Sequence, residues 1–251
     1  MGRFFPFPHP VKIASLHIPQ VVATVTRRAD LDFLSSGEGA GCDILEYRLD
    51  NLLDDLDAVR STISHVPVPA LITARRPSEG GVNDLSDEFR IGLCRDFLEP
   101  CCLMDLEIAS FQSGTAFGDL AAEARERGVI VVGSFHDFMR FPVMDTLRST
   151  IETGYDFGID VVKLAVFIET MSELFQLVRL VEEQREKGRL ISAMGMGPMG
   201  KLSRLVLARA GSCLNYGYLQ TENAPGQWPA RELQRLIHKI GGSVSSDGKS
   251  A

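Results

Sequence analysis

Eight short apolar, β-branched runs recur along this chain at intervals of about 20 to 30 residues, the spacing of strand-helix units. They are VVATV (21–25), CDILEYRL (42–49), ALITAR (70–75), CLMDLEI (102–108), VIVVGSFH (129–136), DVVKLAVF (160–167), RLISAMGM (189–196) and SCLNYGYL (212–219). Amphipathic stretches lie between them, among them Asp87 to Leu98, Phe117 to Arg127, Met144 to Gly154 and Ser172 to Lys187. Gly128 and Gly188 fall where helices should terminate. A doubly wound open sheet would use the same alternation. The count of eight and the lack of a dividing linker favour a closed α/β architecture, an eight-stranded (β/α)8 TIM barrel.

The expected domain is a single catalytic barrel over residues 1–251, with the barrel proper from about 20 to 242 and a short disordered polar tail from about 243 to 251. Ahead of the first run, RFFPFPHPVKIASL (3–16) is expected to form a small hairpin or plug that closes the barrel floor.

Charge and cysteine content narrow the partners. The net charge is −7 and no long Lys/Arg run occurs, so the footprint of a nucleic-acid or anionic-membrane binder is missing. A small-molecule substrate is expected. The five cysteines, Cys42, Cys94, Cys101, Cys102 and Cys213, form no CxxC pair and read as reduced thiols. No apolar run reaches the length of a membrane span, and MGRFFPFPHP lacks the apolar core of an export signal. The expectations are a cytoplasmic location, no metal and no organic cofactor.

In a (β/α)8 barrel, chemistry gathers at the C-terminal ends of the strands. Those ends carry Glu46 and Arg48, Arg75 with Glu79 beyond it, Glu107, His136 with Asp137, Lys163, Met194 with Met196, and finally the loop around Gln227. Charges set into near-continuous apolar strands are costly to bury unpaired, so their convergence on one rim points to a site.

Lys163, flanked by apolar residues in DVVKLAV, is either a salt-bridged lysine or a nucleophilic amine that forms a Schiff base with a carbonyl substrate. His136 is either a satisfied core histidine or a general acid/base whose ordinary pKa of about 6.5 suits proton transfer near neutrality. Glu79 could orient or polarise it. Glu46 and Arg48 leave the same strand face, as an ion pair or as ligands. Arg204 begins the segment after the seventh run, where a guanidinium could clamp a carboxylate bidentately. GMGPMGKL (195–202) mimics a phosphate loop but has Leu202 where a metal-binding hydroxyl would stand.

Taken in order, EYRLD (46–50), TARRPSEGG (73–81), SFHDF (134–138), VVKLAV (161–166), MGMGPMGKLSR (194–204) and NAPGQ (223–227) resemble the motifs of type I 3-dehydroquinate dehydratase over about Val21 to Leu236. That resemblance implies a hydro-lyase of the shikimate route to aromatic amino acids, converting 3-dehydroquinate to 3-dehydroshikimate and water, in a homodimer. It implies Lys163 as the imine lysine, His136 as general acid/base and Glu79 as the histidine's partner. It further implies Arg204 for the substrate carboxylate, Glu46, Arg48, Arg75 and Gln227 for the ring hydroxyls, and Met194 and Met196 as an apolar wall. Two positions depart from the family pattern. Asn223 stands where Ser or Thr is usual before APGQ, and Tyr47 stands where Trp is frequent. The loop ENAPGQWP is expected to be either a lid or an ordinary connector.

Two other readings stay open on sequence alone. One is another Schiff-base barrel of the class I aldolase kind. The other is a metabolite-sensing module that keeps the fold without turnover.

Overall fold

The computed structural model describes residues 11–111, 115–223 and 226–241. Eight parallel strands are present: β1 (Gln20–Val25), β2 (Ile44–Arg48), β3 (Ala70–Thr73), β4 (Leu103–Glu107), β5 (Ile130–Asp137), β6 (Val161–Phe167), β7 (Leu190–Met196) and β8 (Leu214–Tyr218). None extends more than one residue beyond an expected apolar run. Helices follow them in alternation: α1 (Arg28–Ser35), α2 (Leu56–His65), α3 (Asp87–Asp96), the single turn α4 (Ile108–Phe111), α5 (Ala116–Glu126), α6 (Met144–Asp156), α7 (Met171–Glu186), α8 (Gly200–Ala210) and α9 (Ala230–Gly241). Gly128 and Gly188 take positive φ values of 76° and 75° just past α5 and α7, the left-handed geometry that ends a helix cheaply only at glycine.

Strand neighbours run β7-β6-β5-β4-β3-β2-β1-β8, so the sheet curls until its two edges meet. The β7/β8 seam is narrower than a regular ladder. Cys213 N–H donates to Ile191 O at 2.8 Å, Ala193 N–H to Ser212 Oγ at 2.9 Å, and Ser192 Oγ to Leu214 O at 2.7 Å. Serine hydroxyls there replace part of the backbone pairing and close the barrel.

Period-two alternation gives this barrel two separate apolar regions. Outward-facing Val21, Ala23, Leu45, Ile72, Met104, Leu106, Val162, Leu164 and Ile191 pack against the helices. Inward-facing Val22, Ile44, Leu71, Leu103, Ile130, Val161, Leu190 and Leu214 fill the lower half of the barrel. Leu16, fully buried on the short 3₁₀ turn Ile13–His17 ahead of β1, joins this inner group and stoppers the floor. The expected plug is therefore present, and the expected hairpin falls mostly on residues outside those described, as does the polar tail.

One layer higher the interior changes character. Thr24, Glu46, Thr73, Asp105, Ser134, Lys163 and Ser192 are buried on successive strands, and the register sets them side by side. Thr24 is opposite Glu46, Thr73 opposite Asp105, and Lys163 lies between Ser134 and Ser192. A dry floor beneath a ring of polar side chains makes the upper mouth the chemically capable end.

Candidate active site

The mouth holds a cavity of about 280 Å³, a size suited to a compact ring substrate rather than a nucleotide. Lys163, His136, Glu79, Glu46, Arg48, Arg75, Arg204, Asn223, Gln227, Met194 and Met196 all line it. These eleven side chains are the catalytic and binding candidates of the sequence, brought together from five strand ends, the turn Pro77–Glu79, the loop after β8 and helix α8. Thr24, Thr26, Gly80, Phe138, Ala165 and Tyr216 complete the wall.

Lys163 points into the barrel and is 4% exposed, so its amine is largely shielded from bulk water. Nζ donates to Asp105 Oδ2 at 2.8 Å, lies 3.9 Å from Glu46 Oε1, and sits 4.3 Å from the ring centroid of Tyr216. The salt-bridged reading of this lysine therefore holds in the structure, with Asp105 as its partner. Glu46 is steadied by Thr73 Oγ1, which donates to it at 2.8 Å. Arg48 does not pair with Glu46. Its Nη2 and Nε reach Asp50 at 2.8 and 2.9 Å, and Nη2 also donates to Gly80 O. The ion pair considered for Glu46 and Arg48 is replaced by two separate arrangements, Arg48 turning to Asp50 and Gly80 while Glu46 is held by Thr73 beside Lys163.

His136 Nδ1 is 2.9 Å from Glu79 Oε2, and the same oxygen accepts the His136 backbone N–H at 3.1 Å. Nε2 is thereby left as the ring nitrogen available to a substrate. Burial, with the cations of Arg75 and Lys163 nearby, holds His136 well below the usual 6.5. Burial also pushes the Glu79 carboxyl up to about 7, the nearby Arg75 only partly offsetting it. Both shifts favour uncharged forms, and a neutral imidazole is the form able to accept a proton.

Arg75 is committed elsewhere. Its guanidinium donates to Glu107 Oε1 at 3.0 Å and to Ser134 Oγ, and Nη2 lies 2.9 Å from Asp105. Glu107 in turn is held by Arg90 and by the Arg76 backbone N–H. Burial alone would raise the Asp105 carboxyl, but Arg75 and Lys163 overcome it and hold the group well below the usual carboxylate range.

Arg204 is 2% exposed, and its Nε and Nη1 fan out to the carbonyls of Tyr216, Gly195, Gly200 and Gly226 at 2.6–2.9 Å. The two-pronged clamp expected of it is therefore not free, because Nη2 alone makes no protein hydrogen bond among the described residues. Burial lowers its pKa to about 10, which leaves it charged at neutral pH. The close approach of α8 to β7 that sets this fan depends on Gly195. A Cβ there would fall 2.6 Å from Ser203 Oγ, the very atom that accepts the Gly195 N–H. That hydroxyl also donates to Gly200 O, so the phosphate-loop mimic is a turn packed on itself.

Asn223 ties the loop after β8 to the end of β1. Its Nδ2 donates to Thr24 Oγ1 and its Oδ1 accepts from Thr26 Oγ1 at 2.9 Å, while its backbone N–H donates to Gln227 Oε1. A hydroxyl residue could not bridge both threonines with separate donor and acceptor atoms. Ala224 and Pro225 lie outside the described residues, so the lid and connector readings rest on the flanks alone. Tyr47 is fully buried toward the helices, with its hydroxyl lacking a partner among the described residues. An indole would suit that apolar position equally well.

Two site residues escaped the sequence reading. They are Asp105, on β4, and Tyr216, on β8. Both follow from the same alternation that exposed Lys163: in LMDLE, Met104 and Leu106 face the helices while Asp105 and Glu107 face inward.

Comparison with known proteins gives one consistent result. The family model described as type I 3-dehydroquinase matches residues 21–243. A 3-dehydroquinate dehydratase from Methanothrix thermoacetophila is 34% identical over 223 residues, 89% of this chain and 92% of that protein. The crystal structure of 3-dehydroquinate dehydratase from Geobacillus kaustophilus superposes with a TM-score of 0.78 at 24% identity, covering 90% of this chain and 92% of that one. The type I enzyme from Clostridium difficile, solved with covalently modified comenic acid, also gives 0.78 at 22% identity over 95% and 96%. At those identities the two structures speak for the shared barrel.

Proposed function

The chain belongs to the type I 3-dehydroquinase family and is a 3-dehydroquinate dehydratase of the shikimate pathway, and from that premise we propose how its own residues carry the reaction. Lys163 is the imine lysine, His136 the general acid/base and Glu79 its orienting partner. The observation that carries this reading is a single shielded amine sharing one small cavity with a histidine whose second nitrogen is held by a carboxyl group.

The neutral amine attacks the substrate ketone, forming a C–N bond as the carbonyl π pair moves to oxygen. That oxygen takes two protons and leaves as water, giving a protonated imine. Electron withdrawal by the imine makes the adjacent C–H acidic, and His136 Nε2 removes the proton. The C–H pair becomes a C=C bond and the C=N π pair settles on nitrogen as an enamine. When that pair returns, the C–OH bond of the next carbon breaks and the hydroxyl leaves with the proton His136 took. Water then hydrolyses the imine, freeing product and amine.

Around this centre, Arg204 offers Nη2 to the substrate carboxylate. Glu46, Arg48, Arg75 and Gln227 address the ring hydroxyls, Asn223 holds the loop that carries Gln227, and Met194 with Met196 provide the apolar wall. Arg75 acts through an edge already anchored on Asp105 and Glu107, so it contributes field and position more than adaptable hydrogen bonds.

The test is borohydride reduction in the presence of 3-dehydroquinate, followed by peptide mass spectrometry. Label is expected on the Lys163 peptide, and Lys163→Ala should lose turnover by at least about 10⁴-fold, since the amine's effective concentration is lost with it. Label elsewhere, or near-normal turnover in the variant, would reject the assignment.

The enzyme is also proposed to be a cytoplasmic homodimer. Free thiols at all five cysteines fit a reducing compartment, and light scattering of the purified protein reports the oligomeric state.

A further inference from the structure

Beneath the amine lies a carboxylate to which the reaction above assigns no role. Asp105 is 1% exposed, and it is not part of the cavity wall. Substrate therefore meets Lys163 from the mouth, while Asp105 holds the amine from the protein side. Three donors fix its position. Lys163 Nζ and Arg75 Nη2 reach Oδ2 at 2.8 and 2.9 Å, and Ser134 Oγ donates to Oδ1 at 2.6 Å. Glu46, which does line the cavity, stands further off at 3.9 Å.

We propose that Asp105 is the counter-ion of the protonated imine on Lys163, a further catalytic residue that keeps the imine nitrogen charged until the α-proton has been removed. This rests on the imine reading given above.

A protonated imine keeps one N–H, and Asp105 Oδ2 already occupies hydrogen-bonding distance from that nitrogen. Loss of the N–H would leave a neutral imine, a weak electron sink that could not draw the C–H pair. A fixed carboxylate in a dry setting opposes that loss. The face of the Tyr216 ring at 4.3 Å favours positive charge on the same atom. No further reactant is required: when the enamine forms, the C=N pair moves onto nitrogen and the N–H to Oδ2 contact persists. It is equally in place when the pair returns and the hydroxyl departs.

The field of this carboxylate already acts on the amine before substrate arrives, so it does not single out the condensation step. Arg75, bonded to the same oxygen, offsets part of that field. The gain should therefore appear in the steps after the imine has formed, and this gives the experiment its signature.

Asp105→Asn keeps the shape and removes the charge. Two readouts apply: the pH dependence of kcat, and the ratio of Lys163 trapping by cyanoborohydride, which reduces only protonated imines, to trapping by borohydride. The expected result is a fall in kcat of about 10²-fold, a basic limb displaced downward by a pH unit or more, and a trapping ratio at least roughly tenfold lower. An unmoved limb and an unchanged ratio would overturn the proposal and leave Asp105 a structural residue. Should Asp105→Asn not fold, Ser134→Ala removes the Oδ1 hydrogen bond, together with the one that Ser134 Oγ accepts from Arg75, and leaves the Asp105 charge in place. It should displace the limb the same way by a smaller step, and an unmoved limb there overturns the proposal as well. If the wild-type chain carries no label on Lys163 with either reagent, the imine reading itself fails and takes the counter-ion with it. A labelled wild type with an unresponsive Asp105→Asn rejects the counter-ion alone.

Discussion

Glu79 grips His136 at two points with one oxygen, Oε2, which lies 2.9 Å from Nδ1 and 3.1 Å from the backbone nitrogen. Ring orientation and strand position are thus fixed by the same atom. The grip crosses from the short turn Pro77–Glu79, beyond β3, to the end of β5.

Because burial raises Glu79 to about 7, this pair predicts a specific pH response. Below that value the partner of Nδ1 is a neutral carboxyl, and above it a carboxylate able to stabilise the imidazolium that forms when His136 takes the proton. His136 itself stays neutral across this range, its pKa being held below 6.5. Activity should therefore rise with pH through about 7. Glu79→Gln should abolish that inflection and lower kcat by roughly tenfold, within the range of general acid–base effects. The sign for stability is opposite. A carboxyl raised in the folded state binds its proton more tightly than the unfolded chain does, so its contribution is complete below 4.5 and lost as pH climbs to about 7. Steady-state rates from pH 5 to 9 for both proteins check the first claim, and denaturation midpoints over the same range check the second.

Arg204→Lys should act on substrate binding more than on chemistry. A lysine keeps the charge but cannot serve four carbonyls and still present a directed N–H to the cavity. The loss of one charge-assisted hydrogen bond is about 1.5–3 kcal/mol, which corresponds to a rise in KM of roughly 10- to 100-fold. The kcat should fall by a smaller factor. Equal losses in both parameters would place Arg204 in the transition state rather than in recognition.

Much of the fold and the candidate site could be read from sequence because inward and outward residues alternate so cleanly. Lys163 stands out in DVVKLAV since its neighbours Val162 and Leu164 pack outward against helices, and the same logic would have placed Asp105. What alternation cannot give is register. That Lys163 lies between Ser134 and Ser192, within reach of Asp105, depends on the stagger between strands, which no single strand encodes. Nor does it reveal which donors are already spent. Arg204 reads as a free fork and Arg75 as a ligand for ring hydroxyls, but carbonyls hold the first and carboxylates the second, and only the packed barrel discloses this.

Leu16 offers a way to separate the scaffold from the chemistry. It is fully buried among the lower inward residues, below the layer that holds the polar ring, and it carries no polar group. Leu16→Ala should open a void beneath Val22 and Ile44 at a cost of about 2–5 kcal/mol, according to how far the floor can collapse. For a chain of this size that corresponds to a fall in Tm of roughly 5–15 °C. At temperatures well below the new midpoint kcat and KM should remain within about twofold of the parent, because Leu16 is not among the residues that line the cavity. Scanning calorimetry and steady-state assays on one preparation test both halves. A large loss of activity in a protein that is still fully folded would mean that the floor helps to set the strand ends, and that the division between a dry base and a reactive mouth is less complete than the side-chain pattern indicates.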